Sequence, residues 1–131
     1  MFHLINLNSH SDTSGRLIVL EEPNSLPFLV RRNYFISNTN TIEPRGFHAH
    51  KSQKQIIIAL TGSMDITLDD GKNKETIVLN DPTKAIYIEG IVWREMKNFN
   101  NCILSVLCDS LYCEDDYIRD YDEFIKITNK K

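Results

Sequence analysis

The chain reads as an all-β sandwich or small barrel finished by one short C-terminal helix, and three observations say so. Short runs rich in Ile, Val, Thr, Tyr and Phe follow one another to about Asp109. Turn signals such as "EPNSLP", "NTNTIEPRG" and "DDGK" separate them at regular spacing. The one stretch with helical periodicity, "EDDYIRDYDEFIKITNK", stands at the end.

Taken in order, "RLIVLEE" and "FLVRRNYFIS" are the first strands, divided by the prolines of "EPNSLP". The polar "NTNTIEPRG" is a loop closed by Pro44 and Gly46. "KQIIIALTG" and "SMDITLDDGK" follow, and in the second Met64, Ile66 and Leu68 alternate with polar residues, as a half-buried strand requires. Asp70-Gly71 suits the positive φ of a hairpin turn, which makes "ETIVLND" the partner strand. "AIYIEGIVWREMKNF" and "NCILSVLCDS" complete about nine strands. In the last stretch Tyr117, Tyr121, Phe124 and Ile125 recur at helical spacing, with acids early and lysines late as the helix dipole favours. Those aromatics are expected to pack the helix onto the sandwich. Residues 1–131 are expected to form a single domain, since no repeat or linker interrupts them.

Composition narrows the partners. A net charge of −3 and a pI near 5.8 supply no basic footprint for nucleic acid. No apolar run approaches the roughly 18–20 residues that span a bilayer, so no membrane association is expected. Cys102, Cys108 and Cys113 are odd in number and form no CxxC pair, which fits a reducing compartment better than a disulfide framework. The start "MFHLINLNSHSD" has no basic head, apolar core or small-residue cleavage site, so the expected location is cytoplasmic.

"RGFHAHKSQKQ" carries the chemistry. His48 and His50 leave a strand on the same face because side chains alternate with period two. A strand pair His-x-His followed by an acid and a glycine resembles the first motif of the cupin jelly-roll barrels, whose later strand supplies a further histidine to a metal. Here Gly62 fits, seven residues after Gln55, but Gln55 stands in the acid's position and Trp93-Arg94 where the histidine belongs. A neutral amide is a poor ligand and a guanidinium is none at all, so no metal is expected. Two imidazoles with ordinary pKa near 6.5 remain suited to proton transfer. Arg31, Arg32, Arg45 and Arg94 flank strands and suit an anion such as a diphosphate. Trp93 and Tyr87 offer flat faces to a base or sugar, or equally to a core.

The strings "RGFHAHK", "LTGS", "LDDG", "YIEGIVWREM" and "VLCDSLYCEDDYIRDYDEF" together resemble the cupin dTDP-4-keto-6-deoxyglucose 3,4-ketoisomerases over essentially the whole chain. "VWREM" and "DYIRDYDEF" are the distinctive parts; Glu89-Gly90 and Cys113 depart from the family pattern without touching the histidines. The resemblance implies a cupin jelly-roll barrel with a short C-terminal helix, and no cofactor. The substrate would be a dTDP-linked 4-keto-6-deoxy sugar whose ketone moves from C-4 to C-3 through an enediol. It implies catalytic roles for His48, His50, Tyr34 and Arg45, with His48 moving the carbon-bound proton, and substrate contacts from Arg32, Arg94, Trp93 and Gln55. Arg94 matches the family's arginine subset and points to the gluco rather than the galacto product. The product would feed synthesis of 3-amino-3,6-dideoxy sugars for surface glycans such as O-antigen. A homodimer is implied in which N-terminal strands around Arg16–Leu20 are exchanged. The rival readings are a metal-dependent oxygenase, a sugar-nucleotide epimerase and a non-catalytic sugar-binding cupin.

Overall fold

A computed structural model describes residues 1–22, 26–40 and 43–129. The loops expected at "EPNSLP" and "NTNTIEPRG" fall partly on residues 23–25 and 41–42, outside the described residues. The all-β expectation holds. Among the described residues ten strands are present: β1 (Phe2–Asn6), β2 (Asn8–Asp12), β3 (Gly15–Val19), β4 (Arg32–Ile36), β5 (Arg45–His50), β6 (Gln55–Asp69), β7 (Lys74–Leu79), β8 (Lys84–Ile88), β9 (Trp93–Cys108) and β10 (Tyr117–Ile118). One helix, α1 (Tyr121–Asn129), follows.

The two long strands organise the rest. β6 pairs with β9 from Gln55↔Cys108 to Asp69↔Trp93, and the register slips three times between Ala59 and Asp65. Those slips bend both strands, so the single eight-stranded sheet they centre folds into two halves, a first and a second sheet. The first halves of β6 and last residues of β9 lie with β8, β1 and β4. Their other halves lie with β7, β5 and β10. At the bend Gly62 has φ +64, and Asn98 and Asn101 opposite it also have positive φ. Glycine enters this left-handed region without a steric cost, and asparagine does so more easily than most residues. The hydrogen-bonded path runs β1-β8-β6-β9-β5-β10, with β1 and β10 at its ends. The architecture is therefore one eight-stranded sheet folded onto itself as a sandwich, more than a closed barrel.

Period-two alternation sorts the side chains into layers. Ile57, Ala59, Met64, Ile66, Leu68, Leu104 and Val106 fill the space between the sheets. Ile56 and Ile58, on the opposite face of β6, pack with Leu7, Phe28, Ala85 and Tyr87. Ala49, Trp93, Ile118 and Phe124 form a third cluster, which seats α1 on the outside of the second sheet.

Several expected boundaries move. "HLINLNSHSD" forms β1 and β2, which its polar composition hid, because β1 is held by pairing with β8. "NCILSVLCDS" is the continuation of β9 and not a separate strand. The expected C-terminal helix is shorter: Glu114–Asp116 is one 3-10 turn, and Tyr117–Ile118 is a strand paired with His50 and Ala49. Asp120 starts α1 by accepting the Asp122 N–H at 3.0 Å. Tyr121, Phe124 and Ile125 do pack the helix, but Tyr117 does not belong to it. No helix among the described residues is long and apolar enough to cross a membrane.

Gly62 gives the test of the bend. A Cβ there would stand 2.1 Å from the Asn100 carbonyl oxygen, on a backbone that disfavours L side chains. Gly62→Ala is expected to lower stability by about 2–4 kcal/mol, measured by urea unfolding.

Candidate active site

β4, β5 and β9 bring their inward-facing side chains to one mouth between the sheets. A cavity of about 590 Å³ opens there, lined by His48, Tyr34, Arg32, Arg45, Tyr117 and Arg119 among others. That volume suits a nucleotide-sized ligand. A larger hollow of about 920 Å³ lies by Met1, Lys72 and Thr128, but it holds no imidazole or arginine and so offers no comparable chemistry.

A bulge in β5 sets the histidines. The register shifts between Gly46 and His48, Gly46 has φ +98, and a Cβ there would press on the Arg94 carbonyl oxygen at 3.1 Å. The shift lets the His48 ring fold back, so that its Nδ1 stands 3.0 Å from the Gly46 carbonyl oxygen. A carbonyl only accepts, so Nδ1 carries the proton and Nε2 keeps its lone pair. That Nε2 is buried and has no partner. His50 lies one layer deeper and is fully buried, its ring 5.0 Å from that of His48 and nearly perpendicular to it. Its Nδ1 donates to Asp116 Oδ2 at 3.0 Å. The Tyr117 ring covers both imidazoles, at 5.0 Å and 4.4 Å.

Below them is a buried cation. Arg94 is 1% exposed; it donates through one NH to Gln55 Oε1 and through the other to the Val92 carbonyl oxygen. Burial pushes its guanidinium down to about 10, still charged at neutral pH. Gln55 is held the other way round by donating to Gln53 Oε1 at 2.6 Å. Burial first, and then the Arg94 charge, lowers His48 to about 4 and depresses His50 as well. Both imidazoles are therefore neutral at pH 7.

The sequence-derived residues sort by layer. His48, Tyr34, Arg45 and Arg32 line the cavity. Arg32 lies over the rings of Tyr34 and Tyr112, at 5.0 Å and 5.5 Å from their centroids. Gln55 and Arg94 stand behind the histidines, because their strand positions point inward beneath the mouth. Trp93, on the opposite face of β9 from Arg94, is placed against Phe124 and Tyr121 of α1 and not in the cavity. Tyr87 likewise packs in the outer cluster with Phe28. Sequence reading missed Tyr112, Tyr117, Arg119 and Asp116. The signal was the motif "DYIRDYDEF", whose helical spacing concealed a strand partner for β5.

The donor set does not fit a divalent cation. The two imidazoles keep an Nε2 lone pair each, but the third position is a neutral amide and the fourth is a buried guanidinium, so half of the ligand set is missing. Among the described residues no three His, Cys, Asp or Glu side chains converge.

The family model described as FdtA, WxcM-like, C-terminal matches residues 1–129. Over 128 residues the chain is 41% identical to the TDP-4-oxo-6-deoxy-alpha-D-glucose-3,4-oxoisomerase of Aneurinibacillus thermoaerophilus, covering 97% of this chain and 92% of that one. Its fold is similar to the TDP-quinovose 3,4-ketoisomerase of Campylobacter jejuni, at a TM-score of 0.91 and 45% identity over 95% of this chain and 97% of the other. It is also similar to a variant of the 3,4-ketoisomerase of Thermoanaerobacterium thermosaccharolyticum in complex with TDP-4-keto-6-deoxyglucose. There the TM-score is 0.95 and the identity 37%, over 99% of this chain and 95% of the other.

The depressed histidines make stability depend on pH. The unfolded chain takes up a proton on His48 near 6.5, whereas the native state resists it until about 4. Stability from this group is therefore full above 6.5 and lost as pH falls toward 4. The melting temperature is expected to decline across that window, and His48→Gln to flatten the decline.

Proposed function

This chain belongs to the FdtA, WxcM-like family, and we propose that it catalyses its isomerisation by imidazole acid–base chemistry on TDP-4-keto-6-deoxyglucose. It is an isomerase, a dTDP-sugar 3,4-ketoisomerase. The observation that carries the mechanism is His48 Nε2, an unpartnered base on a residue that lines the cavity.

The base takes the proton from C-3 and the C–H electrons form a C-3=C-4 double bond, leaving an oxyanion on O-4. The O-3 hydroxyl proton passes to O-4 by way of His50. Protonation at C-4 then leaves the ketone at C-3. One carbon is oxidised and its neighbour reduced, so the reaction needs no external oxidant and no cofactor. An imidazole held near pH 4 is a weak base in the empty site. The substrate's diphosphate and the developing oxyanion favour the protonated ring, which raises its basicity when it is needed. The charges of Arg32 and Arg94 oppose the oxyanion's cost, and fixed donors of this kind are worth a few kcal/mol each. Tyr34 and Arg45 stand at the cavity wall, where sugar oxygens would meet them. Arg119, turned over the Tyr117 ring at 4.2 Å, and Arg32 are the candidates for the diphosphate.

Three finer readings go with this one. The product is assigned the gluco configuration, which Arg94 and the similarity to a TDP-quinovose enzyme support. It would then meet an aminotransferase on the way to a 3-amino-3,6-dideoxy sugar of a surface glycan. The working form is a homodimer with exchanged N-terminal strands in the cytoplasm. The β2–β3 hairpin forms a small sheet of its own, β2 is exposed throughout, and Leu17 is 62% exposed; these favour an arm that docks elsewhere. The three cysteines are free thiols, as a reducing compartment allows.

Incubation with TDP-4-keto-6-deoxyglucose in deuterated water is expected to move the ketone to C-3 and place solvent deuterium at C-4, read by NMR. An unchanged spectrum would sink the reading. His48→Asn is expected to abolish turnover and leave TDP affinity within about twofold, since the change removes a base and not an anion contact. Full turnover by that variant would reassign the base.

A further inference from the structure

We propose that Asp116 is a positioning residue for this reaction, holding His50 in the Nδ1–H tautomer so that its Nε2 can take and return a proton. The inference rests on the ketoisomerase reading above.

The carboxylate is anchored at both oxygens. Oδ2 accepts the His50 Nδ1–H at 3.0 Å, while Oδ1 accepts the Ser52 main-chain N–H at 2.9 Å and the Ser52 hydroxyl at 2.8 Å. The Asp116 carbonyl oxygen in turn accepts the Lys51 N–H at 2.8 Å, and Tyr117 pairs directly with His50. Asp116 is thus tied to the two residues that follow His50, and the imidazole has little freedom to rotate. The Ser52 and His50 hydrogen bonds keep the carboxyl below the ordinary carboxylate range despite its partial burial. It is ionised and accepts only, which determines the tautomer.

The charges around His50 explain why it needs this partner. Arg94 lies below, His48 beside it and Tyr117 above it, and Gln55 reaches its Nε2 from β6 at 3.5 Å. Burial first, and then the Arg94 charge, oppose a second proton on the ring. Asp116 is the carboxylate within hydrogen-bond distance of an imidazole among the described residues, and becomes its ion-pair partner when the ring is protonated. When a substrate proton arrives at Nε2, the imidazolium keeps its Nδ1–H on Asp116. The proton stays on His50 and leaves by the same nitrogen.

The test uses Asp116→Asn, Asp116→Glu and Ser52→Ala with TDP-4-keto-6-deoxyglucose as substrate, and TDP for binding. An asparagine amide can donate to Nδ1 and stabilise the wrong tautomer. Asp116→Asn is expected to lower kcat by about 10²–10⁴-fold, with KM and TDP affinity within about twofold. Asp116→Glu should recover at least about tenfold of that loss, and Ser52→Ala should lower kcat by roughly 3–10-fold. In the wild-type protein, ¹⁵N NMR of the His50 ring is expected to show Nδ1 protonated and Nε2 bare. Undiminished kcat in Asp116→Asn would overturn the proposal. So would a loss confined to KM and TDP affinity, which is what a merely structural residue would give. A wild-type ring protonated at Nε2 would overturn it too, and this spectrum together with Ser52→Ala decides the matter if Asp116→Asn does not fold. Wild-type protein inert toward the substrate would instead refute the ketoisomerase reading, with the spectrum still deciding the tautomer.

Discussion

The contact between Arg94 and Gln55 is the constraint on which the site depends. A guanidinium at 1% exposure is costly, and here a neutral amide and a backbone carbonyl meet only its two terminal nitrogens; its Nε has no partner, and no carboxylate pairs with it among the described residues. The uncompensated positive charge has three consequences. It adds to burial in keeping both imidazoles neutral, it repels a cation, and it favours a ligand that brings or develops negative charge. Gln55 matters for its orientation: bound through its oxygen to Arg94, it presents its NH₂ to Gln53 and His50.

The site is layered, and its layers divide the work. At the cavity wall stand His48, Tyr34 and three arginines. Behind them His50, Gln55, Arg94 and Cys108 form a buried polar sheet whose members hold one another. Outside the second sheet, Trp93 and Phe124 clamp α1 and do not line the cavity. The tryptophan and arginine of "VWREM" thus serve opposite faces of one strand. Their adjacency in the motif reflects the sheet more than a shared chemistry.

The bend in β6 and β9 makes this layering possible. Without the slips at Ala59–Asp65, β4 and β5 would lie on one flat sheet, and Arg32, Tyr34 and His48 would not line one mouth. The strand β10 adds the remaining wall, because pairing with β5 places Tyr117 over both imidazoles and brings Asp116 to His50. A two-residue strand carries little stability of its own. Its hydrogen bonds to His50 and the packing of Ile118 under α1 keep it there.

Local pattern was enough for much of the outcome. Alternation at Met64, Ile66 and Leu68, the Asp70-Gly71 turn and the pairing of His48 with His50 on one face are short-range properties of a strand, and they hold in the fold. The missing ligands at Gln55 and Arg94 were likewise readable from side-chain chemistry alone. What the residues in order could not settle was depth and partnership. Gln55 and Arg94 are 39 positions apart and touch only because β6 and β9 pair with a particular slip. Tyr117 has helical spacing to Tyr121 and Phe124, yet the unpaired edge of β5, 66 residues from Asp116 at His50, draws it into a strand. Hydrogen-bond demand at a sheet edge is a property of the assembled sheet, so only the tertiary structure could assign these residues to the site.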